Sequence, residues 1–139
     1  MKTTFLAKEK VQRRWFVADA AGLTLGRLAC RVALVLRGKD QANFTPFTDS
    51  GAYVIVVNAA KVVLSGRKNR QKTYKRYSGY PGGLHVTAAR DMRPVEIVKH
   101  AIRGMLPGNR LRAKQLTRLK IFENEEHTYH NQKPEILNI

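Results

Sequence analysis

Residues 67–83 read RKNRQKTYKRYSGYPGG, in which Arg67, Lys68, Arg70, Lys72, Lys75 and Arg76 alternate with Tyr74, Tyr77 and Tyr80 and no acid intervenes. Ammonium and guanidinium groups neutralise phosphates and release their condensed counterions. Tyrosine rings stack on unpaired bases or sugars, and their hydroxyls reach phosphate or 2′-OH. Gly79, Gly82 and Gly83 let the backbone turn sharply and approach a partner closely. The same residues would also suit a solvated loop with its tyrosines packed on a core, a disordered tether, or a glycine-rich phosphate cradle. The rest of the chain has to decide between these.

Charge supplies the first constraint. The 139 residues hold 26 Lys and Arg against 10 Asp and Glu, a formal net charge of +16. Such an excess repels itself unless an anionic partner offsets it. It is also segregated along the chain. Between Asp49 and Asp91 no acid occurs, and a second acid-free window between Glu96 and Glu123 holds Lys99, Arg103, Arg110, Arg112, Lys114, Arg118 and Lys120. Glu123, Glu125, Glu126 and Glu135 crowd the C-terminal end. Long single-sign windows are the footprint of a surface for a polyanion, RNA or DNA.

Competing chemistries lack their residue sets. A nucleotide-binding turn needs a glycine fingerprint ahead of a helix, but GLTLG (residues 22–26) matches neither G-x-G-x-x-G nor G-x-x-x-x-G-K-[ST]. His127 and His130, beside Glu125 and Glu126, imitate a metal site, yet the lone Cys30 is far away and a structural zinc needs four ligands. Asp19 and Asp49 have no second carboxylate placed to share acid–base work. The reading is therefore of a protein without catalytic residues, metal, cofactor or small-molecule substrate. Cys30, within an apolar helical pattern, is expected to be a small buried hydrophobe, and a single cysteine implies a reducing compartment. No apolar run nears the roughly 20 residues that span a bilayer, and MKTTFLAKEK has no apolar signal core. A soluble, intracellular protein with no membrane partner is expected.

The positioning elements follow from periodicity. WFVADA (15–20) reads as a short buried strand, and AGLTLGR as a turn into a helix whose Leu25, Leu28, Ala29, Val32, Val35 and Leu36 form one stripe ended by Gly38. YVIVVNA (53–59) is a β-branched run of the kind found in strands covered on both faces. KVVLSG (61–66) reads as a second short strand, or as an extension of the first past a bend at Asn58. Strand, helix, strand implies a parallel pair with a right-handed crossover, hence an α/β domain. LHVTAAR is a candidate strand. Pro94 then opens a helix with a Val98, Ala101, Ile102 and Met105 stripe, weakened at Gly104 and stopped at Pro107. Asn109 caps a further helix on which Arg110, Lys114 and Arg118 fall one turn apart as a cationic stripe. LKIF (119–122) is the candidate last strand, before a polar, acidic tail. One domain is expected over residues 1–139, with an N-terminal arm over about 1–14 and the tail over about 123–139.

Residue chemistry alone reaches a basic α/β domain that binds RNA or DNA backbone. The stretches WFVADAAGLTLGRLA, NFTPFTDSGAYVIVVNA, GRKNRQKTY, GYPGG, IRGMLP and LKIFENEEHTYHNQKPEIL, in this order along nearly the whole chain, resemble the bacterial large-subunit ribosomal protein L-thirteen family. Arg112 stands where that family usually has a small residue. The resemblance implies a three-layer α/β/α domain around a four-stranded, mainly parallel sheet with basic RNA-binding extensions. It implies a structural role on large-subunit ribosomal RNA early in subunit assembly, with neighbouring large-subunit proteins as further partners and a cytoplasmic, ribosomal location. By position, the RNA-facing residues would be Lys68, Arg70, Lys72, Tyr74, Lys75, Arg76, Tyr77 and Tyr80, and then Arg110, Arg112, Lys114, Arg118 and Lys120. Lys8, Lys10, Arg13 and Arg14 are additional candidates. The alternatives are a free regulator that binds a messenger RNA and a nucleotide- or RNA-modifying α/β enzyme.

Overall fold

A computed structural model describes residues 5–139; residues 1–4 of the expected N-terminal arm lie outside the described residues. Four parallel strands form the central sheet in the order β5-β2-β1-β6: β1 is Trp15–Asp19, β2 Tyr53–Val57, β5 Leu119–Ile121 and β6 Glu135–Ile136. β1 and β2 pair over their full length, Trp15 opposite Tyr53 through Asp19 opposite Val57. The helices are α1 (Leu25–Arg37), α2 (Lys68–Gln71), α3 (Pro94–Met105) and α4 (Arg110–Thr117). A separate antiparallel hairpin joins β3 (Thr73–Tyr77) to β4 (Leu84–Ala88).

Alternation along β1 and β2 separates two faces. Phe16, Ala18, Val54 and Val56 meet the stripes of α1 and α3, so that Leu28, Val32, Leu36, Val98 and Ile102 are fully enclosed. Each such aliphatic side chain contributes about 1.5–3 kcal/mol. The chain passes through α1 to β2 and through α3 and α4 to β5 in one direction across the sheet, and right-handed crossovers in one direction place their connections on one face. The return from β5 to β6 reverses direction and lays residues 122–134 on the other face. There Trp15 stacks on Tyr53 at 4.2 Å between centroids and on Tyr129 at 5.4 Å. Three layers result: α1 with α3, the sheet, and a segment that is irregular apart from one 3-10 turn at His130–Gln132.

The helix ends obey local rules. Gly38 closes α1 with φ 81°, its N–H donating to Val35 O at 3.0 Å while Lys39 N–H donates to Leu34 O at 3.0 Å. Gly51 passes so close to this end that a Cβ there would overlap the Leu36 carbonyl. Asn109 Oδ1 accepts from Arg112 N–H at 3.1 Å and caps α4.

Several sequence expectations need correction. KVVLSG is not a strand: Ala59–Lys61 is a 3-10 turn, and only Val63 bridges to Thr24. Asn58, with φ 58°, turns the chain out of β2 and prevents continuation. LKIF is not the last strand, because β6 pairs with β1 and Leu137 enters the core from within the supposed tail. Cys30 is exposed, since it lies opposite the Leu28, Val32 and Leu36 stripe. Gly104 stays inside α3, and Met105, expected in its stripe, is exposed.

Candidate nucleic-acid interface

Most of the stretch 67–83 is regular structure, and only residues 78–83 form a connecting loop. Lys68–Gln71 make one helical turn, and TYKRY then forms β3 opposite β4. Thr and Tyr favour the extended backbone, and both strands alternate between the same two faces. Ala89 N–H donates to Lys72 O at 2.8 Å and ties the base of the hairpin to the core. At the tip, Ser78 N–H donates to Gly83 O at 3.0 Å and Gly83 N–H to Tyr80 O at 2.9 Å. Gly79 and Gly82 supply the left-handed φ values of 92° and 73° that this turn needs.

The three tyrosines do different things. Tyr74 packs inward: its ring lies 5.1 Å from the His100 ring of α3, with Lys72 Nζ 5.3 Å from its centroid. The Tyr74 hydroxyl is buried without a partner among the described residues, and burial raises this phenol above its ordinary pKa. Tyr77 and Tyr80 are 62% and 76% exposed and free to stack. Leu84 and Val86 share the exposed face of the hairpin with Tyr77 and Lys75.

Between hairpin and α3 runs a groove that carries Tyr74, Arg76 and Thr87 on one wall and Lys99, His100 and Arg103 on the other. Its acids are already engaged: Glu96 holds Arg93 at 2.7 Å, and Asp91 lies 3.7 Å from Arg90. Arg76, Lys99 and Arg103 at the groove, and Lys75 on the outer face of the hairpin, are exposed cations that form no ion pair among the described residues. Lys99 and Arg103 were absent from the expected set. They fall in the second acid-free window, one turn apart on an amphipathic helix, and that spacing was the available signal.

The second expected segment is split by the fold. Arg110 and Lys114 are exposed together on α4, and Arg112 is half-buried beside the cap. Arg118 is withdrawn from any surface. At 5% exposure its guanidinium donates to both Asp49 oxygens, at 2.6 and 2.7 Å, and to Leu36 O at 3.0 Å. Lys120 sits on β5 with Nζ 6.0 Å from the Tyr129 ring, on the face away from α1. In the N-terminal arm Lys8 and Lys10 are exposed, but Arg13 donates to Gly51 O at 2.7 Å and to Asp49 O at 3.0 Å. Arg14 lies 3.7 Å from Asp40. Lys68 Nζ donates to Ser65 Oγ at 3.2 Å, and Arg70 is exposed beside it on α2.

The turn between β1 and α1 offers no phosphate cradle. Gly22 N–H donates to Lys61 O at 3.2 Å and Leu25 N–H to Val63 O at 3.1 Å, so two of its amides are already satisfied by backbone. His127 and His130 stack at 4.2 Å, and among the described residues no group of three or more His, Cys, Asp or Glu could hold a metal ion.

The family model described as Ribosomal protein L13 matches residues 13–128. The chain is 50% identical over 141 residues to the large ribosomal subunit protein uL13 of Clostridioides difficile strain 630, covering 99% of each. To the protein of the same name from Thermotoga maritima it is 51% identical over 137 residues, 96% of this chain and 92% of the relative. To that of Dictyoglomus thermophilum it is 48% identical over 142 residues, with both chains fully covered. A basic hairpin on a parallel α/β core thus coincides with full-length similarity at half identity, and the chain belongs to the ribosomal protein L13 family.

Proposed function

We propose that this chain is a structural, non-enzymatic constituent of the large ribosomal subunit that grips ribosomal RNA with the hairpin and the facing side of α3. The observation that carries the reading is the groove in which Arg76 faces Lys99 and Arg103, with Lys75 and Tyr77 exposed on the outer face of the same hairpin and Tyr80 exposed in its connection. The four cations neutralise backbone phosphates, and the two rings stack on splayed bases or sugars. Phosphate contacts supply affinity, while the fixed angle between hairpin and helix selects an RNA shape. Lys68 and Arg70 extend the surface at the hairpin base, Lys72 braces Tyr74, and Arg110 and Lys114 add a contact on α4. The place of work is the ribosome in the cytoplasm, and no helix of the described residues is long and apolar enough to cross a membrane.

The test is binding to large-subunit ribosomal RNA across a salt series. Changing Lys72, Lys75 and Arg76 together to Ala removes the phosphate contacts of Lys75 and Arg76 and any that Lys72 adds, so log K against log salt flattens by about 1.5–2.5. An unchanged slope would remove the hairpin from the interface. A matched Lys99→Ala, Arg103→Ala protein flattens it by about 1.5, and wild-type behaviour there would confine binding to the hairpin alone.

A further inference from the structure

The sheet carries a second surface of opposite chemistry. Beyond the C-terminal ends of β1 and β2, at the point where the chain reverses its direction across the sheet, lies an open cleft. Crevices at this kind of position are the habitual binding places of parallel α/β sheets. Val17, Val57 and Ile136 give it aliphatic walls, and Asp19, Glu125 and Glu126 give it charge.

In a chain with 26 Lys and Arg, an acid can readily find an internal partner. Asp40, Asp49, Asp91 and Glu96 do so, each with an arginine. Among the described residues Glu9, Asp19, Glu123, Glu125, Glu126 and Glu135 form no ion pair within 4.0 Å, and Asp19, Glu125 and Glu126 of these line the cleft, with Lys61 near enough to act on Asp19 through its field. Asp19 is held ionised, its carboxylate accepting from Ala21 N–H at 2.9 Å and from Asn58 Nδ2 at 2.8 Å, and these bonds keep its pKa below the usual value.

The lining also contains an unfilled acceptor. Asn58 is 5% exposed, and its Oδ1 is buried with no hydrogen-bond partner among the described residues. Because Nδ2 is committed to Asp19, the amide orientation follows, and the free atom is the oxygen. A buried acceptor left unpaired costs about 1–3 kcal/mol, and this one sits in a residue held at φ 58°, so two local costs coincide in the cleft wall. His127 adds no positive charge at neutral pH: its Nδ1 accepts from Tyr129 N–H at 3.2 Å, and burial with the neighbouring His130 keeps its pKa below the ordinary value.

The three carboxylates therefore favour a donor that carries positive charge, the Asn58 oxygen accepts from any such N–H, and the aliphatic walls suit the methylene stem behind it. Carboxylates exclude RNA from this face. Residues 5–14 of the chain's own basic arm are tied at the other end of the sheet, where Arg13 holds Gly51 O, one strand length or about 17 Å away. We propose that the cleft seats an extended, arginine- or lysine-bearing segment of a neighbouring protein, with Asn58 and the three carboxylates as its acceptors. The protein then has two opposed docking surfaces, cationic for RNA and anionic for a basic protein.

The proposal is testable without RNA, so its outcome is separate from that of the RNA interface. ¹⁵N-labelled full-length protein is titrated, at about 50 mM salt, with a peptide of about ten alternating arginines and glycines. Saturable shifts are expected at the Asn58 side-chain amide and at the Ala21 and Asn124 backbone amides, with Tyr77 and Gly82 unmoved. The exposed double variant Glu125→Gln, Glu126→Gln weakens binding about tenfold or more and keeps its fold; Asp19→Asn does the same where it folds. Failure of the wild type to saturate, or undiminished binding by the Gln double variant, overturns the proposal. So does spermidine shifting the same amides at equal affinity, which would reduce the cleft to a diffuse polycation site.

Discussion

Arg118 shows how far residue type and spacing carry. One turn from Lys114 and two from Arg110, it belongs to a stripe by every sequence criterion, yet its partner Asp49 stands 69 residues earlier. Nothing local marks that pairing, because the carboxylate is delivered by a turn and the guanidinium by the end of a helix. Its role is accordingly internal: it also satisfies the Leu36 carbonyl near the end of α1. Asp49→Ala leaves a buried guanidinium without its counter-ion and should cost about 3–5 kcal/mol in urea denaturation. Arg118→Met should be milder, since Asp49 keeps Arg13 at 3.6 Å. Neither change should alter the salt slope of RNA binding by the folded protein; a slope lowered by about 1 in Arg118→Met would return that residue to the interface. Tyr74 teaches the same lesson in reverse, for its type suited stacking on RNA and its place on the inner face of the hairpin gave it to His100.

At the level of elements, legibility tracked burial. The strands β1 and β2 and the helices α1 and α3 write their periodicity plainly, because each has a face that must be apolar. The hairpin has no enclosed face beyond Tyr74, so its strands carry no in-out alternation of polarity, and its six-residue SGYPGG connection lacks a two-residue turn signal. Its composition spoke for RNA while its structure stayed hidden. The C-terminal segment was hidden for another reason: β6 has only two residues, and a strand so short leaves no pattern. Its contribution is nonetheless real, because Leu137 packs against the core and Leu137 N–H donates to Val17 O at 2.8 Å. Leu137→Ala should destabilise by about 2–4 kcal/mol in the same denaturation assay, whereas an appended tail would lose less than about 0.5.

For the whole molecule, charge dominates behaviour. The formal +16 is offset by few internal pairs, so self-repulsion weakens the isolated protein. Raising sodium chloride from about 20 to about 200 mM should therefore raise the melting temperature by about 3 °C or more, measured by circular dichroism. A fall would mean that the ion pairs outweigh the repulsion. Residue order alone conveyed the α/β class and the sign and location of the charge, since these depend on local periodicity and composition. Only the folded chain decided which cations remain free, that α3 supplies the second wall of the groove, and that Asp19 joins Glu125 and Glu126 in one cleft. Those are relations between residues far apart in sequence, fixed by which groups the core brings together and which it consumes.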